Sequence, residues 1–495
     1  MSLRPRTSTD TTPLPAGSHR KDRLGQVCGA AFIVLWFLTF AGSGVGAPFS
    51  GDDLMNLHGH LGRGGANLLL DNLCFWSTAY RPMGGLFYVG LYKLFGFDPL
   101  PFRLACFALL LLNLWLLYRF CHLLTRSRSA AFLATFLAAY HAWFVDLYRS
   151  SGTVYELLSY AFYFAAFDWY LSIRQAGGTP GLRQIGGICL LYVAALNAKE
   201  MAVTLPLFLL CYEAIFHVPW RQWRPAVGWW RVNGRTILST GVLTAIYVAG
   251  KVGGDGSLAD QAAYKLTISA GRYLDSFHLY LNPLLYQEHL FRDPNTIQLL
   301  LAMLAVALLF RSRAMMLAWC ILLLALLPVA FIAHYSGFFL YFPMAGWALY
   351  AALLVDIPRR ALLRRVAPAA SVDVWNAVSL VVTTGLLAAM LAPLHTRESV
   401  KTTALFSSAL PPVDTTRAQL LQLQPQMKRE ARVLFLNDPF PSHDYFLLFL
   451  TRLLYNDLTI HVERSNAPPR DNNGIRSYDA VFEYVNGRML KREAP

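Results

Sequence analysis

Residues 101–145 read PFRLACFALLLLNLWLLYRFCHLLTRSRSAAFLATFLAAYHAWFV, two apolar runs joined by a turn that carries Arg126 and Arg128. A run of about 20 apolar residues matches the hydrocarbon thickness of a bilayer, and a helix crosses it with every backbone group bonded internally. The same alternation of apolar block and charged turn continues in both directions. It gives about eleven blocks near bilayer length: Leu24–Gly44, Pro101–Leu124, Ala130–Val145, Val154–Ile173, Gln184–Ala198, Met201–Phe216, Thr236–Gly250, Thr296–Phe310, Ala314–Ile332, Pro343–Ile357 and Val374–Leu391. Pro82 to Phe95 is apolar but too short to span comfortably, so it reads as an interfacial helix and fixes the parity of every later block.

The composition agrees with the blocks. Of 495 residues, 55% are hydrophobic and 15% charged, with a mean hydropathy of +0.39. A soluble domain carries about 25% charge. Disordered, fibrous and small disulfide-stapled proteins are excluded. Of the seven Cys, all but Cys74 fall inside apolar blocks, without zinc or disulfide spacing.

The net charge of +14 leaves nucleic acid and membrane as partners, and placement decides between them. Basic residues gather in alternate turns: Arg126/Arg128, Arg174/Arg183, Arg221 to Arg235, Arg311/Arg313 and Arg359 to Arg365. With the N-terminal tail these hold about 20 basic residues against about 10 in the opposite short loops, the positive-inside pattern. No nucleic-acid partner is expected. The N-terminus is expected in the cytoplasm and the C-terminus outside, with Leu24 to Ala47 an uncleaved first helix rather than a signal peptide.

The expected architecture is therefore an all-α polytopic membrane protein with a small C-terminal α/β domain. Residues 1–23 form a basic cytoplasmic tail. Residues 24–392 form the membrane module, with outer loops 45–100 and 251–295, and residues 393–495 form the extracytoplasmic domain. In that domain Arg432 to Leu436 and Asp479 to Val485 read as strands, His443 to Tyr455 has helical spacing, and Asn486-Gly487 marks a hairpin turn.

Chemistry is expected on the outer side, where Asp52, Asp53, Asp146, Glu156 and Glu200 map. Ser50-Gly51-Asp52-Asp53 comes directly after the first block. It reads either as a helix start, with Ser50 or Asp52 as N-cap, or as the seat of a general base. Neighbours along a helix lie about 100° apart, so the two carboxylates need not act as a dyad. Asn197-Ala198-Lys199-Glu200 sits at an outer junction, where charges need partners and Lys199 and Glu200 do not share a face. Lys199 reads either as a helix end snorkelling to water or as a ligand for a lipid phosphate. His141 and Asp146 bracket the outer end of the third block; a lone interfacial His is often a hydrogen-bonded anchor. His58 and His60 point to opposite sides of a helix, against a metal pair.

Together these residues resemble the GT-C integral-membrane glycosyltransferases, and within them the tetratricopeptide-containing transmembrane O-mannosyltransferases and their bacterial relatives. Asp52-Asp53 resembles that superfamily's acidic pair in the first outer loop, and Tyr80-Arg81-Pro82 its Arg-Pro helix start. His141 with Asp146 is similar to a His-Pro segment followed by an acid, with Ala142 in place of the proline. Asn197 to Pro206 resembles its Ser-Lys-Glu run, Arg272-Tyr273-Leu274 through Asn282-Pro283 its second large outer loop, and Phe339 to Pro343 its Leu-Tyr-Leu-Pro stretch, without the preceding Arg. The likeness covers Ser50 to Tyr350, and no tetratricopeptide repeat comes after it.

The resemblance implies an inverting glycosyltransferase in a membrane, a bacterial inner membrane with a periplasmic site. It would move a sugar from a polyprenyl-phosphate donor to a hydroxyl of an extracytoplasmic acceptor, be it protein, lipid or polysaccharide. Asp52 would be the base, and Asp53 would orient the acceptor or a divalent cation, the only cofactor entertained. Lys199 and Arg272, with Arg81 beside them, would hold the donor phosphate. Glu200, His141, Asp146 and Tyr341 would bind or support the sugar. The competing expectations are a carrier or flippase for a lipid-linked sugar, and a non-catalytic subunit of an envelope complex.

Overall fold

A computed structural model describes residues 16–220, 223–253, 267–332, 335–366, 368, 372–441, 444–465 and 477–492. Most of residues 1–23 and residues 254–266 of the expected second outer loop lie outside the described residues. The chain is mostly helical, with one small mixed sheet near its C-terminus.

Helices Gly25–Gly46, Pro99–Thr125, Arg313–Ala330 and Val372–Leu423 are long and apolar enough to cross a membrane, and the pair Arg128–Ala138 with Ala142–Arg149, bent by 62°, qualifies only if its halves are joined. The chain is therefore a membrane protein, with four to five candidate spans by length and composition among the described residues, where the sequence blocks number about eleven. Most of the other expected blocks are helical but short or polar. Leu182–Ala198 has 17 residues and Leu205–Phe216 has 12. Val154–Gln175 is long enough, but its four tyrosines, Glu156 and Asp168 lower its hydropathy.

Expected block Ala130–Val145 breaks at Ala139 to His141 for a tertiary reason. The backbone N–H of His141 donates to the Tyr148 hydroxyl (3.1 Å) and that of Ala142 to the Tyr286 hydroxyl (2.9 Å). Two donors that a continuous helix would bond internally are satisfied elsewhere, so the chain turns without an orphaned group.

Helix Val372–Ser408 has 37 residues, about 55 Å at 1.5 Å per residue, nearly twice the hydrocarbon thickness. Its first half exposes Val374, Val378, Val381, Val382, Leu386 and Met390, a stripe that lipid covers. Its second half hands over to Val413–Leu423. The expected domain boundary at residue 393 therefore falls inside a continuous helix.

The terminal domain holds strands β1 (Arg432–Leu436), β2 (His461–Ser465), β3 (Ala480–Val485) and β4 (Arg488–Arg492) in the order β2-β1-β3-β4. β1 is parallel to β2 and β3, and β3 pairs antiparallel with β4. Helix Phe446–Leu454 makes the crossover a parallel pair requires. Asn486 (φ 50°) and Gly487 (φ 78°) form the β3–β4 turn, two left-handed residues that match the twist of a hairpin.

The first outer loop folds as three helices, Gly51–Arg63, Gly65–Leu73 and Pro82–Phe95. The terminal domain docks on them: the Tyr92 hydroxyl donates to the Leu453 carbonyl (2.7 Å), and the His58 and Phe449 rings lie 4.7 Å apart.

Candidate active site

Ser50 caps helix Gly51–Arg63 through a reciprocal pair of bonds. Its hydroxyl accepts from Asp53 N–H (3.2 Å), and the Asp53 carboxylate accepts from Ser50 N–H (2.7 Å). The same carboxylate accepts from Arg103 (2.7 Å) and Ser151 (2.6 Å), and Arg103 also donates to the Ala47 and Pro48 carbonyls. Asp53 and Arg103 are 0% and 1% exposed. Burial pushes the Asp53 carboxyl up, but Arg103 and the hydrogen bonds outweigh it and hold the group below the usual carboxylate range. Asp53 is thus bonded within the fold to Ser50, Arg103 and Ser151, which makes it a structural group rather than one presented to the cleft.

One residue earlier on the helix, Asp52 is exposed and lines a cleft of about 530 Å³. Asp146, Ser150 and Thr153 line it from the membrane module. Phe406 and Pro411, from the end of the long helix, complete that side, and Pro441, Asp444, Tyr445 and Phe449 face them from the terminal domain. Asp146 stands beyond the bend, in a cleft whose far wall is the terminal domain. Gly152 packs so closely that a Cβ there would lie 2.7 Å from Asp52 Cβ.

The expected phosphate ligands are arranged differently from the expectation. Lys199 is 3% exposed. Its ammonium pairs with Glu156 (2.6 Å) and lies over the rings of Phe338 and Phe339, 5.3 and 5.2 Å from their centroids. Burial and Arg81 pull its pKa down against Glu156 and Glu200. Arg81 donates to both Glu200 oxygens (3.2 and 3.0 Å) and to the Tyr80 hydroxyl (2.7 Å). Burial would raise the Glu200 carboxyl, but Arg81 and Lys199 bring it down to about 2. Glu200 is therefore an ion-pair partner here and not a free sugar ligand. Lys251, near Glu200 and Arg81, adds a third cation held by the Ala79 carbonyl (2.5 Å).

Asp146 is within electrostatic reach of Asp52 and Glu156, and Tyr155 of Asp52 and Arg81. The remaining candidates lie outside the cleft lining. His141 Nε2–H donates to the Leu284 carbonyl (3.0 Å), and the ring stacks on Tyr286 at 4.5 Å, which makes it a buried anchor. Arg272 binds the Ile332 carbonyl. The Tyr341 hydroxyl accepts from Asn113 (3.1 Å), and its ring packs on Tyr160 at 4.8 Å. Among the described residues, His141, Tyr341 and Arg272 are thus engaged in packing and anchoring contacts away from the cleft lining.

Among the described residues, no group of three or more His, Cys, Asp or Glu side chains could hold a metal ion. Arg103 and Glu156 were missed as partners, although a lone charge inside an apolar block signals a buried pair. The terminal-domain wall had no sequence signal. No protein-family model matches the chain, and no curated protein matches it.

Proposed function

We propose that the cleft is the site of an inverting transfer of a sugar from a polyprenyl-phosphate donor to an acceptor hydroxyl, with Asp52 as the base. The acceptor oxygen gives its proton to Asp52 and bonds to the anomeric carbon. The bond from that carbon to the phosphate oxygen breaks, and polyprenyl phosphate leaves. The observation that carries the reading is the division of labour in Asp52-Asp53: Arg103 and the cap absorb the second carboxylate, while the first faces the cleft. An Asp is already ionised at neutral pH, so the base role depends on positioning. Ser50, Gly152 and the buried Asp53 supply that positioning.

Negative charge grows on the departing phosphate, and Arg81, Lys199 and Lys251 lie together as cations. Lys199 is occupied by Glu156 and buried, so it acts on the phosphate at a distance, as part of the local field. The test is incubation of the purified full chain with polyprenyl-phosphate sugars: released lipid phosphate together with a glycosylated acceptor supports transfer.

A carrier for lipid-linked sugars is the second reading. Asp168, 1% exposed inside helix Val154–Gln175 and 3.9 Å from Arg119, favours it, because buried ionisable groups in apolar helices mark transport pathways. Translocation without cleavage of the donor would support the carrier.

A further inference from the structure

A second cavity, of about 350 Å³, opens beside the long helix Val372–Ser408, ahead of the cleft residue Phe406. Its lining combines Trp143 with two acids, Glu288 and Glu398, two bases, Arg397 and Lys401, and His289. The four charges balance, and their pairs are open to solvent. Arg397 donates to Glu398 Oε1 (2.9 Å) and Lys401 to Glu288 (2.6 Å), with Arg397, Lys401 and Glu288 all exposed. Exposed pairs contribute little to stability, so a ligand that carries both signs of charge replaces them at small cost. A closed pair such as Arg174–Glu213, buried on both sides, offers no such exchange.

The helix itself shows what reaches this cavity. Leu386, Met390 and Leu394 are exposed, and at 100° per residue they share an arc of about 80° with Arg397 and Lys401. From Val374 to Leu394 the helix rises about 30 Å, the hydrocarbon thickness. Arg397 and Lys401 come within about 10 Å more, at the level of headgroups and of interfacial tryptophans such as Trp143. We infer that the cavity binds the headgroup of a phosphoethanolamine phospholipid, its phosphate on Arg397 and Lys401, its ammonium on Glu288, and its acyl chains along Leu386, Met390 and Leu394. Phosphate and two bases form charge-assisted bonds. A primary ammonium brings three N–H donors to the carboxylates, and a choline headgroup brings none. A headgroup with net negative charge would meet Glu288 and Glu398 without a cation of its own to offset them. None of these residues lines the sugar-transfer cleft, so lipid binding here does not depend on Asp52 acting as the base.

The test uses the purified full chain, stripped of lipid in detergent, and counts retained lipid by native mass spectrometry. Dioleoyl phosphatidylethanolamine, phosphatidylcholine and phosphatidylglycerol are offered in equal amounts, so that only the headgroup differs. The ethanolamine lipid should be retained about fivefold or more over the other two. Glu288→Gln should erase its advantage over the choline lipid, and Arg397→Gln with Lys401→Gln should lower retention of both roughly tenfold. Melting temperatures in lipid-free detergent should stay unchanged, because the pairs removed are exposed. Glycerophosphoethanolamine, the headgroup without chains, should displace the lipid only at roughly hundredfold excess. Equal retention of the three lipids, or a preference for phosphatidylglycerol, overturns the inference on the native chain, with no variant needed. An unchanged preference in Glu288→Gln overturns the ammonium contact, and displacement by equimolar glycerophosphoethanolamine transfers the site from a lipid to a soluble phosphate.

Discussion

Replacing Asp53 by Asn removes a charge and almost no volume. Its consequence is set by the groups the carboxylate touches. Arg103, 1% exposed, would keep its positive charge inside the fold with only the Ala47 and Pro48 carbonyls and neutral amide and hydroxyl groups around it. Stranding one member of a buried pair costs about 3 to 5 kcal/mol, and a weakened cap adds up to about 1. With an unfolding entropy of roughly 2.1 cal/mol/K per residue over 495 residues, that is a fall of roughly 3 to 6 °C in melting temperature. Asp52→Asn, at an exposed position, should change stability by no more than about 0.5 kcal/mol. Thermal unfolding of the purified variants in one detergent measures both. The pair also predicts a cycle: Asp53→Asn with Arg103→Gln should cost less than the two singles added. Because the folded pKa of Asp53 is depressed, its contribution is complete above about pH 4 and is lost only as pH falls through that lowered value. Equal, small effects of Asp53→Asn and Asp52→Asn, or additive losses in the cycle, would refute the assignment of Asp53 to structure.

Gly152→Ala places a methyl 2.7 Å from Asp52 Cβ; transfer should fall at least tenfold, and full activity would show that Asp52 need not be held where it is. Lys199→Met leaves Glu156 buried and unpaired, at a cost of about 3 kcal/mol, and adding Glu156→Gln should recover most of it in thermal unfolding. Burial, with a further push from Arg63, holds the His60 imidazole down to about 4, so it stays neutral in the fold while the unfolded chain protonates. Stability should therefore drop as pH falls from about 6.5 towards 4, by up to about 1.4 kcal/mol per unit, and His60→Gln should flatten that slope.

Elements set by local pattern were legible. Arg432–Leu436 runs apolar after its arginine, as a strand buried on both faces does, Asn486-Gly487 supplies the two left-handed residues of a hairpin, and Pro82–Phe95 starts at its proline and ends before a glycine. What stayed hidden depends on partners far along the chain. The break near His141 is held by Tyr148 and Tyr286, and Lys199 meets Glu156 rather than its neighbour Glu200. Apolar blocks and candidate spans differ in number because helices such as Leu182–Ala198, of 17 residues, are apolar but short. In the site, Asp52 and Asp53 were singled out together, and only the position of Arg103 separates their roles. The cleft residues Tyr445 and Phe449 lie in a segment whose spacing reads simply as an amphipathic helix.

The most direct measurement is the rate of sugar transfer from a radiolabelled polyprenyl-phosphate donor by the purified full chain and by its Asp52→Asn variant. The account predicts cleavage of the donor by the native protein and a loss of about a hundredfold to ten-thousandfold in the variant, with its fold intact. A variant that transfers at the native rate, or a native protein that leaves every polyprenyl-phosphate sugar uncleaved, would contradict it.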